Sequence, residues 1–319
     1  MTMFAASAPA KIILCGEHAV VYGQPAIAVP VSSLRVTAQV SPNSAGRAGL
    51  YLIASETLEQ VILSAEPPYP EDPLALAATL ALQHWQLDAP DLTITVKSTI
   101  PIASGLGSGA AVTTAVIRAL SMALDRPIET ATLNELVYEI EKLHHGTPSG
   151  IDNTVIVYEQ SVLFVRDHPI ERLVIGAPLY VLIGDTGQTA LTRVAVGDVR
   201  QLYESNSSLI QPILDSIGTL VRESRQAIER GDAPALGKLM NRNHSYLQQL
   251  TVSSPELDLL VTAARNAGAL GAKLSGGGRG GNMIALVKPE TALSVQNALL
   301  AAGAVRVFTT TLKSDSAIT

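Results

Sequence analysis

Over the first hundred residues apolar and polar positions alternate in short runs. RVTAQV (35–40) and DLTITVKS (91–98) have the two-residue period of half-buried strands, and KIIL (11–14) and LYLIA (50–54) are apolar runs of strand length. PEDPLALAATLALQHW (70–85) shifts to helical density, with Asp72 as N-cap ahead of Pro73. A second helix opens at IPIASGLGSGAAVTTAV (100–116) and runs to about Leu124, before Arg126-Pro127. The pattern of TATLNELVYEIEKLHHG (130–146) predicts a third helix, with Thr132 and Glu135 in capping-box spacing and Gly146 as its end. Strands are expected near 162–165 and 179–184, then helices from about 196 to 250 broken at Gly231 and Pro234. The chain closes with a strand at 282–287, a helix from about Thr291 to Ala302 and a strand at 305–312. Strands followed by helices in each half, without strict alternation, predict an α+β architecture. The domain boundary falls near 180–195.

Composition narrows the function classes. Hydrophobic residues are 47% of 319 and charged ones 16%, enough apolar surface for one large or two moderate cores. A net charge of −6 with no basic run argues against nucleic acid or an anionic membrane as partner, while leaving room for a small anionic substrate. Cys15 is the single cysteine, so no intrachain disulfide forms and a reducing compartment suits the chain; it is expected to pack as a small apolar residue. MTMFAASAPAKIIL lacks the basic stretch ahead of an apolar core that a secretory leader carries, which points to the cytoplasm. The apolar tract 101–124 is broken by three glycines and Arg118, which excludes a membrane span there.

Glycine costs about 1 kcal/mol relative to alanine inside a helix, so three of them at a helix start call for a reason. Gly105, Gly107 and Gly109 remove side chains where backbone amides could converge on an anion, and the helix from Ala110 would add its unpaired amides and positive dipole end. Gly105, Gly107 and Ala110 also fit GxGxxG/A. However, six residues including Pro101 separate them from the preceding strand, and Asp125 follows a helix where a dinucleotide site wants a strand. The loop GxxxxGK[ST] does not occur, and a tight turn between crossing elements accounts for the trio equally well. A second cluster, KLSGGGRGGNMIAL (273–286), sets five glycines around Arg279, and together the clusters read as two backbone walls of one anion pocket.

PAKIILCGEHAVVYGQPAIA (9–28), PIASGLGSGAA (101–111) and KLSGGGRGGNMIAL (273–286) resemble, in order and spacing, the three motifs of the GHMP kinases. HHGTPSGIDNTV (144–155), GEHAVVYG (16–23) and DTGQTALTRVAVGDV (185–199) are most similar to the branch of that superfamily that phosphorylates mevalonate. The resemblance implies a two-lobed fold: an N-terminal domain like ribosomal protein S5 domain 2 over 1–185 and a ferredoxin-like C-terminal domain over 186–319. It also implies ATP, Mg²⁺ and transfer of the γ-phosphoryl group to the C5 hydroxyl of mevalonate. Other acceptors of the superfamily (phosphomevalonate, the 3-hydroxyl of mevalonate, a sugar) and a catalytically silent nucleotide sensor stay open. Oligomeric state, a homodimer included, is not written in any motif.

Residue by residue, the resemblance makes Asp152 the carboxylate that orients or deprotonates the attacking hydroxyl, where the residues alone would also fit an Asx turn. It sets Lys11 beside Asp152 to keep it ionised. Pro101, Ser104, Gly105, Leu106, Gly107, Ser108, Gly109 and Ala110 form the nucleotide loop, and Glu141 with Ser108 takes Mg²⁺. Glu141 with His144 or His145 at helical spacing is also a candidate transition-metal pair, though no second such pair occurs. Glu17, His18, Ser149, Gly150, Thr192, Gly277 and Arg279 line the acceptor side. The chain departs from the family twice: Gly109 stands where GLGSSA has its second serine, and GGGRGG replaces a GAGGGG-like loop. Arg279 is therefore either a bidentate anion donor, making up for charge lost at Gly109, or a solvent-facing residue.

Overall fold

The computed structural model describes residues 3–44, 47–55, 58–62, 72–101, 104–145, 148–189 and 192–313. Contacts divide the chain into two compact units. The first comprises Met1–Ala10, Leu34–Pro101 and Gly107–Glu159, and the second Lys11–Ser33, Ile102–Leu106 and Gln160–Thr319. Strand β1 (Phe4–Cys15) and strand β2 (Ala26–Pro42) each pass from one unit into the other.

In the first unit, β2 changes burial at every residue from Leu34 to Ser41, as the alternation of RVTAQV predicts. It pairs antiparallel with β5 (Leu92–Ser98), which runs parallel to β3 (Leu50–Ser55), and β3 pairs antiparallel with β4 (Leu58–Ile62). Helices α1 (Pro73–His84), α2 (Ser108–Ala123), α3 (Thr130–His145) and α4 (Ile151–Tyr158) pack on one another, with α1 against β4 and α2 against β5. Asp72 caps α1 as expected, its carboxylate accepting from the amides of Leu74 and Ala75 at 2.9 and 3.0 Å. The capping box of α3 is a correction. The helix begins at Thr130, with the Leu133 amide bonded to the Glu129 carbonyl at 2.9 Å, so Thr132 lies inside the first turn. Gly146, the expected end of α3, lies outside the described residues. Helix α4 is a second difference, because PSGIDN reads as a turn and yet Asp152 sits in the first turn of an eight-residue helix.

In the second unit, the first residues of β2 pair with β6 (Val162–Phe164), and β6 with β7 (Glu171–Arg172). A separate antiparallel sheet has the order β11-β8-β10-β9, from β8 (Leu179–Asp185), β9 (Gly271–Ser275), β10 (Asn282–Val287) and β11 (Arg306–Leu312). Between β8 and β9 the chain makes α5 (Thr192–Ser205), α6 (Ser207–Glu229), α7 (Ala233–Gln249) and α8 (Pro255–Asn266); α9 (Ala292–Ala301) precedes β11. Helices α7 and α8 pack on β9, α9 on β11 and β8, and α6 on α7. The expected break at Gly231 and Pro234 holds, since Gly231 takes φ 70° and Asp232 caps α7 through the Ala235 amide at 3.0 Å. Every residue of β9 and β10 is buried, which is why these runs show no alternation. Among the described residues no helix is long and apolar enough to cross a membrane. Cys15 is fully buried, and that burial pushes its thiol up to about 12, so it packs as an inert apolar group.

Candidate active site

The first glycine loop is held from behind, within the second unit, by three consecutive carbonyls. Asn282 Nδ2 donates to the Ser104 carbonyl at 2.5 Å, Lys11 Nζ to that of Gly105 at 3.2 Å, and the Lys11 amide to that of Leu106 at 3.0 Å. In a trans peptide the N–H of the next residue points opposite to the carbonyl. The amides of residues 105, 106 and 107 therefore point away from β1 and β10. A side chain at Gly105 would meet nothing within 4 Å, so the loop borders open space. Gly105 and Gly107, at φ 82° and 75°, supply the left-handed backbone this course needs. Gly107 is also the N-cap of α2 and has no side chain to satisfy the first-turn amides. The uncapped first-turn amides of α2 suit a phosphate. Ser108 is half-exposed and Gly109 exposed, while Pro101, Leu106 and Ala110 are buried.

The second cluster meets the first at one point, where a Cβ on Gly276 would lie 3.5 Å from the Gly105 carbonyl. Its other glycines face protein. A Cβ on Gly277 would lie 2.7 Å from Thr192 Oγ1, one on Gly278 1.9 Å from the Val252 carbonyl, and one on Gly280 3.1 Å from Gln188. Most of the cluster thus serves close backbone packing against α5 and the α7–α8 connection. Arg279 joins in: its guanidinium pairs with Asp198 of α5 and donates to the Thr251 carbonyl at 3.2 Å, and its amide bonds the Val252 carbonyl at 2.8 Å. It is a clamp with φ 57°, neither a free anion donor nor a solvent-facing residue.

The turn after β1 holds Glu17 and His18. Glu17, 1% exposed, pairs with Lys273 of β9, which is fully buried and also donates to the Leu274 carbonyl at 2.5 Å. Burial pushes the Glu17 carboxyl above its ordinary value against the opposing pull of the Lys273 ammonium. His18 Nε2 lies 3.0 Å from the Gly277 carbonyl, and burial lowers its pKa to about 4. The ring is therefore neutral near pH 7, with its proton on Nε2 to serve that acceptor. Thr192 is exposed in the first turn of α5, against Gly277.

In the first unit, the α2 start and α3 bring Gly109 and Glu141 together, since a Cβ on Gly109 would lie 3.0 Å from Glu141 Oε1. Glu141 is 9% exposed, and the side chains of His144 and His145 lie outside the described residues. Among the described residues no group of three or more His, Cys, Asp or Glu is gathered. One carboxylate beside the α2 start suits a hard cation that keeps water and phosphate ligands. Half-buried Asp152 follows Gly150, the N-cap of α4 at φ 90°. Ser149 Oγ accepts from the Ile151 amide at 3.4 Å, and Asn153 Nδ2 donates to Asn134 Oδ1 of α3 at 2.8 Å, fixing the turn from both sides.

Asn282, Lys273 and Asp198 are residues that motif spacing does not single out. Their signal is faint: a polar residue in a buried strand start, a lysine in a buried strand and one more acid on an amphipathic helix.

Residues 73–160 match the GHMP kinases N terminal domain and residues 224–305 the GHMP kinases C terminal model. The chain belongs to the GHMP kinase family and is a kinase. Within the family it is 37% identical to the mevalonate kinase of Pyrococcus abyssi, over 95% of this chain and 94% of that protein. The crystal structure of L. major mevalonate kinase in complex with R-mevalonate superposes with a TM-score of 0.84, at 29% identity over 99% of this chain and 97% of that one. Methanococcus jannaschii mevalonate kinase superposes with a TM-score of 0.85 at 25% identity, over 98% and 99% of the two chains.

Proposed function

We propose that this kinase transfers the γ-phosphoryl group of ATP to the C5 hydroxyl of mevalonate, giving 5-phosphomevalonate and ADP. The observation that carries the reading is 37% identity with a mevalonate kinase over 95% of this chain, and the tethered glycine loop supports it. The matched segments fall inside an N-terminal domain over 1–185 and a C-terminal domain over 186–319, which we assign on the family pattern.

In this reading the amides of residues 105–107 and the first turn of α2 bind the phosphates. Glu141 and Ser108 would hold Mg²⁺, which supplies charge neutralisation on the phosphate oxygens. Asp152 orients the C5 hydroxyl and accepts its proton as that oxygen bonds to the γ-phosphorus and the bond to ADP breaks. Lys11 serves the same transfer and steadies the loop through the Gly105 carbonyl. Neutral His18, with Glu17 behind it, Ser149, Gly150, Thr192 and Gly277 shape the acceptor side. Arg279 takes part only by exchanging Asp198 for an anion. The enzyme works in the cytoplasm on small molecules.

A coupled ADP-release assay over mevalonate, phosphomevalonate and a sugar tests this. Release should require mevalonate, and Asp152→Asn or Lys11→Met should lower kcat by about 10²-fold or more with the circular dichroism unchanged. ATP binding without release on any acceptor would instead identify a nucleotide sensor, and release on phosphomevalonate alone would move the acceptor one phosphate along.

A further inference from the structure

The three carbonyl tethers of the glycine loop come from two sources, and the loop motif covers neither. Lys11 supplies two of them from β1, and the third is Asn282, the first residue of β10. Asn282 stands in a cross-strand row, facing Ser275 of β9 on one side and Asp185 of β8 on the other, with Arg306 of β11 beyond. Residues opposite one another in antiparallel strands share a face. Three members of the row hold a neighbouring backbone segment by its polar groups. Ser275 Oγ bonds both the amide and the carbonyl of Ile13, at 3.1 and 3.0 Å. Asp185 Oδ1 accepts from the Gly187 amide at 2.9 Å, while Arg306 holds the other oxygen at 2.8 Å. Asn282 holds Ser104.

The chemistry at Asn282 is not what stability alone selects. Its side chain is 1% exposed, and Oδ1 has no hydrogen-bond partner. A buried amide with an unmatched acceptor is a net cost that an apolar residue of the same size would avoid. What the amide adds is one short bond to one carbonyl, and that carbonyl fixes the peptide plane whose N–H is that of Gly105. Lys11 cannot replace it, because its bonds go to the next two carbonyls.

We infer that Asn282 is a positioning residue for nucleotide binding, aiming the Gly105 amide at the phosphates by holding the Ser104 carbonyl. The inference rests on the proposed nucleotide role of the loop. Asn282 touches no reacting atom in this scheme, and its effect reaches the phosphate through the loop backbone.

The test is ADP binding by calorimetry in the presence of Mg²⁺ for the parent protein, Asn282→Ala and Asn282→Asp, beside ATP and mevalonate KM values. Both variants should weaken ADP by about tenfold and raise the ATP KM far more than the mevalonate KM. The aspartate variant adds a signature that a packing role lacks. Ionised, its carboxylate repels the Ser104 carbonyl; protonated, it donates to it. Its ADP affinity should therefore recover as pH falls, relative to the parent at each pH, while that of the alanine variant should not. ADP affinity within twofold of the parent in both variants overturns the inference, as does equal weakening in both with no pH signature. A parent protein that binds no ADP instead overturns the nucleotide reading beneath it.

Discussion

Lys273 is fully buried and pairs with Glu17, which is itself 1% exposed. Desolvating two charges costs several kcal/mol each, and the pair offsets this only while both partners remain. The pair's use lies in the turn it fixes. Glu17 precedes His18, whose ring holds the Gly277 carbonyl, so one ion pair sets the relation between the turn after β1 and the second glycine cluster. Lys273→Met should destabilise the protein by roughly 3–5 kcal/mol, because the Glu17 carboxyl is left buried without its counter-ion. Adding Glu17→Gln to that variant should restore a good part of the loss, since the unmatched carboxyl is gone. Urea unfolding of the two single variants and the double one measures the coupling. Additive losses would show that the two side chains do not act as a pair.

At the scale of elements, the cluster 276–281 shows what glycine contributes here. Gly278 has φ 78° and a Cβ on it would fall 1.9 Å from the Val252 carbonyl, so Gly278→Ala meets both backbone strain and a hard clash. The loop must move, and with it Arg279 and the Gly277 carbonyl that His18 holds. Gly278→Ala should lower the melting temperature by several degrees and raise the mevalonate KM, whereas a side chain at Gly105, which faces open space, should act on nucleotide binding with little loss of fold. Unchanged melting in Gly278→Ala would refute the packing account. The contrast also marks how far the sequence could be read. Signals carried within one segment were legible: the Asp72 cap, the stop before Arg126-Pro127, the Gly231–Pro234 break and the strand periods. Helix α4 was not, because Pro, Ser and Gly at its entry carry turn chemistry, and the packing of its buried face on α2 and α3, with Asn153 docked on Asn134, is what supports so short a helix. Partners far apart in sequence were equally hidden. Lys273 and Glu17 are 256 residues apart and Asn282 and Ser104 178 apart, and no spacing rule reaches that far.

For the whole molecule, two buried histidines set how stability depends on pH. Burial lowers both His18 and His244 from 6.5 to about 4. Arg279 and Lys273 push His18 the same way, opposed by its bond to the Gly277 carbonyl. For His244, Arg265 and Lys273 act with burial, while Asp258, whose Oδ1 lies 3.1 Å from Nε2, acts against it. Both folded rings are neutral near pH 7: His244 accepts from the Leu274 amide at Nδ1, at 3.3 Å, and carries its proton on Nε2 toward Asp258. The folded values lie below the unfolded ones, so the unfolded chain takes up protons that the folded chain refuses. Stability from these groups is complete above pH 6.5, falls as pH drops from there toward 4, and levels off below. Each group contributes about 1.4 kcal/mol per pH unit in that window, or roughly 3 kcal/mol across it if fully expressed. Unfolding free energies should therefore decline between pH 6.5 and 4.5, and the decline should lose about half its slope in His18→Gln and again in His244→Gln. Carboxylates of ordinary value add their own loss only toward the acid end, and Glu17, which burial raises, changes stability in the opposite sense, so the histidines' share is the slope that disappears in His18→Gln and His244→Gln. A parent curve flat from pH 6.5 to 5 would mean that both rings take up protons in the folded state, and the neutral His18 that holds the Gly277 carbonyl would have to be given up with them.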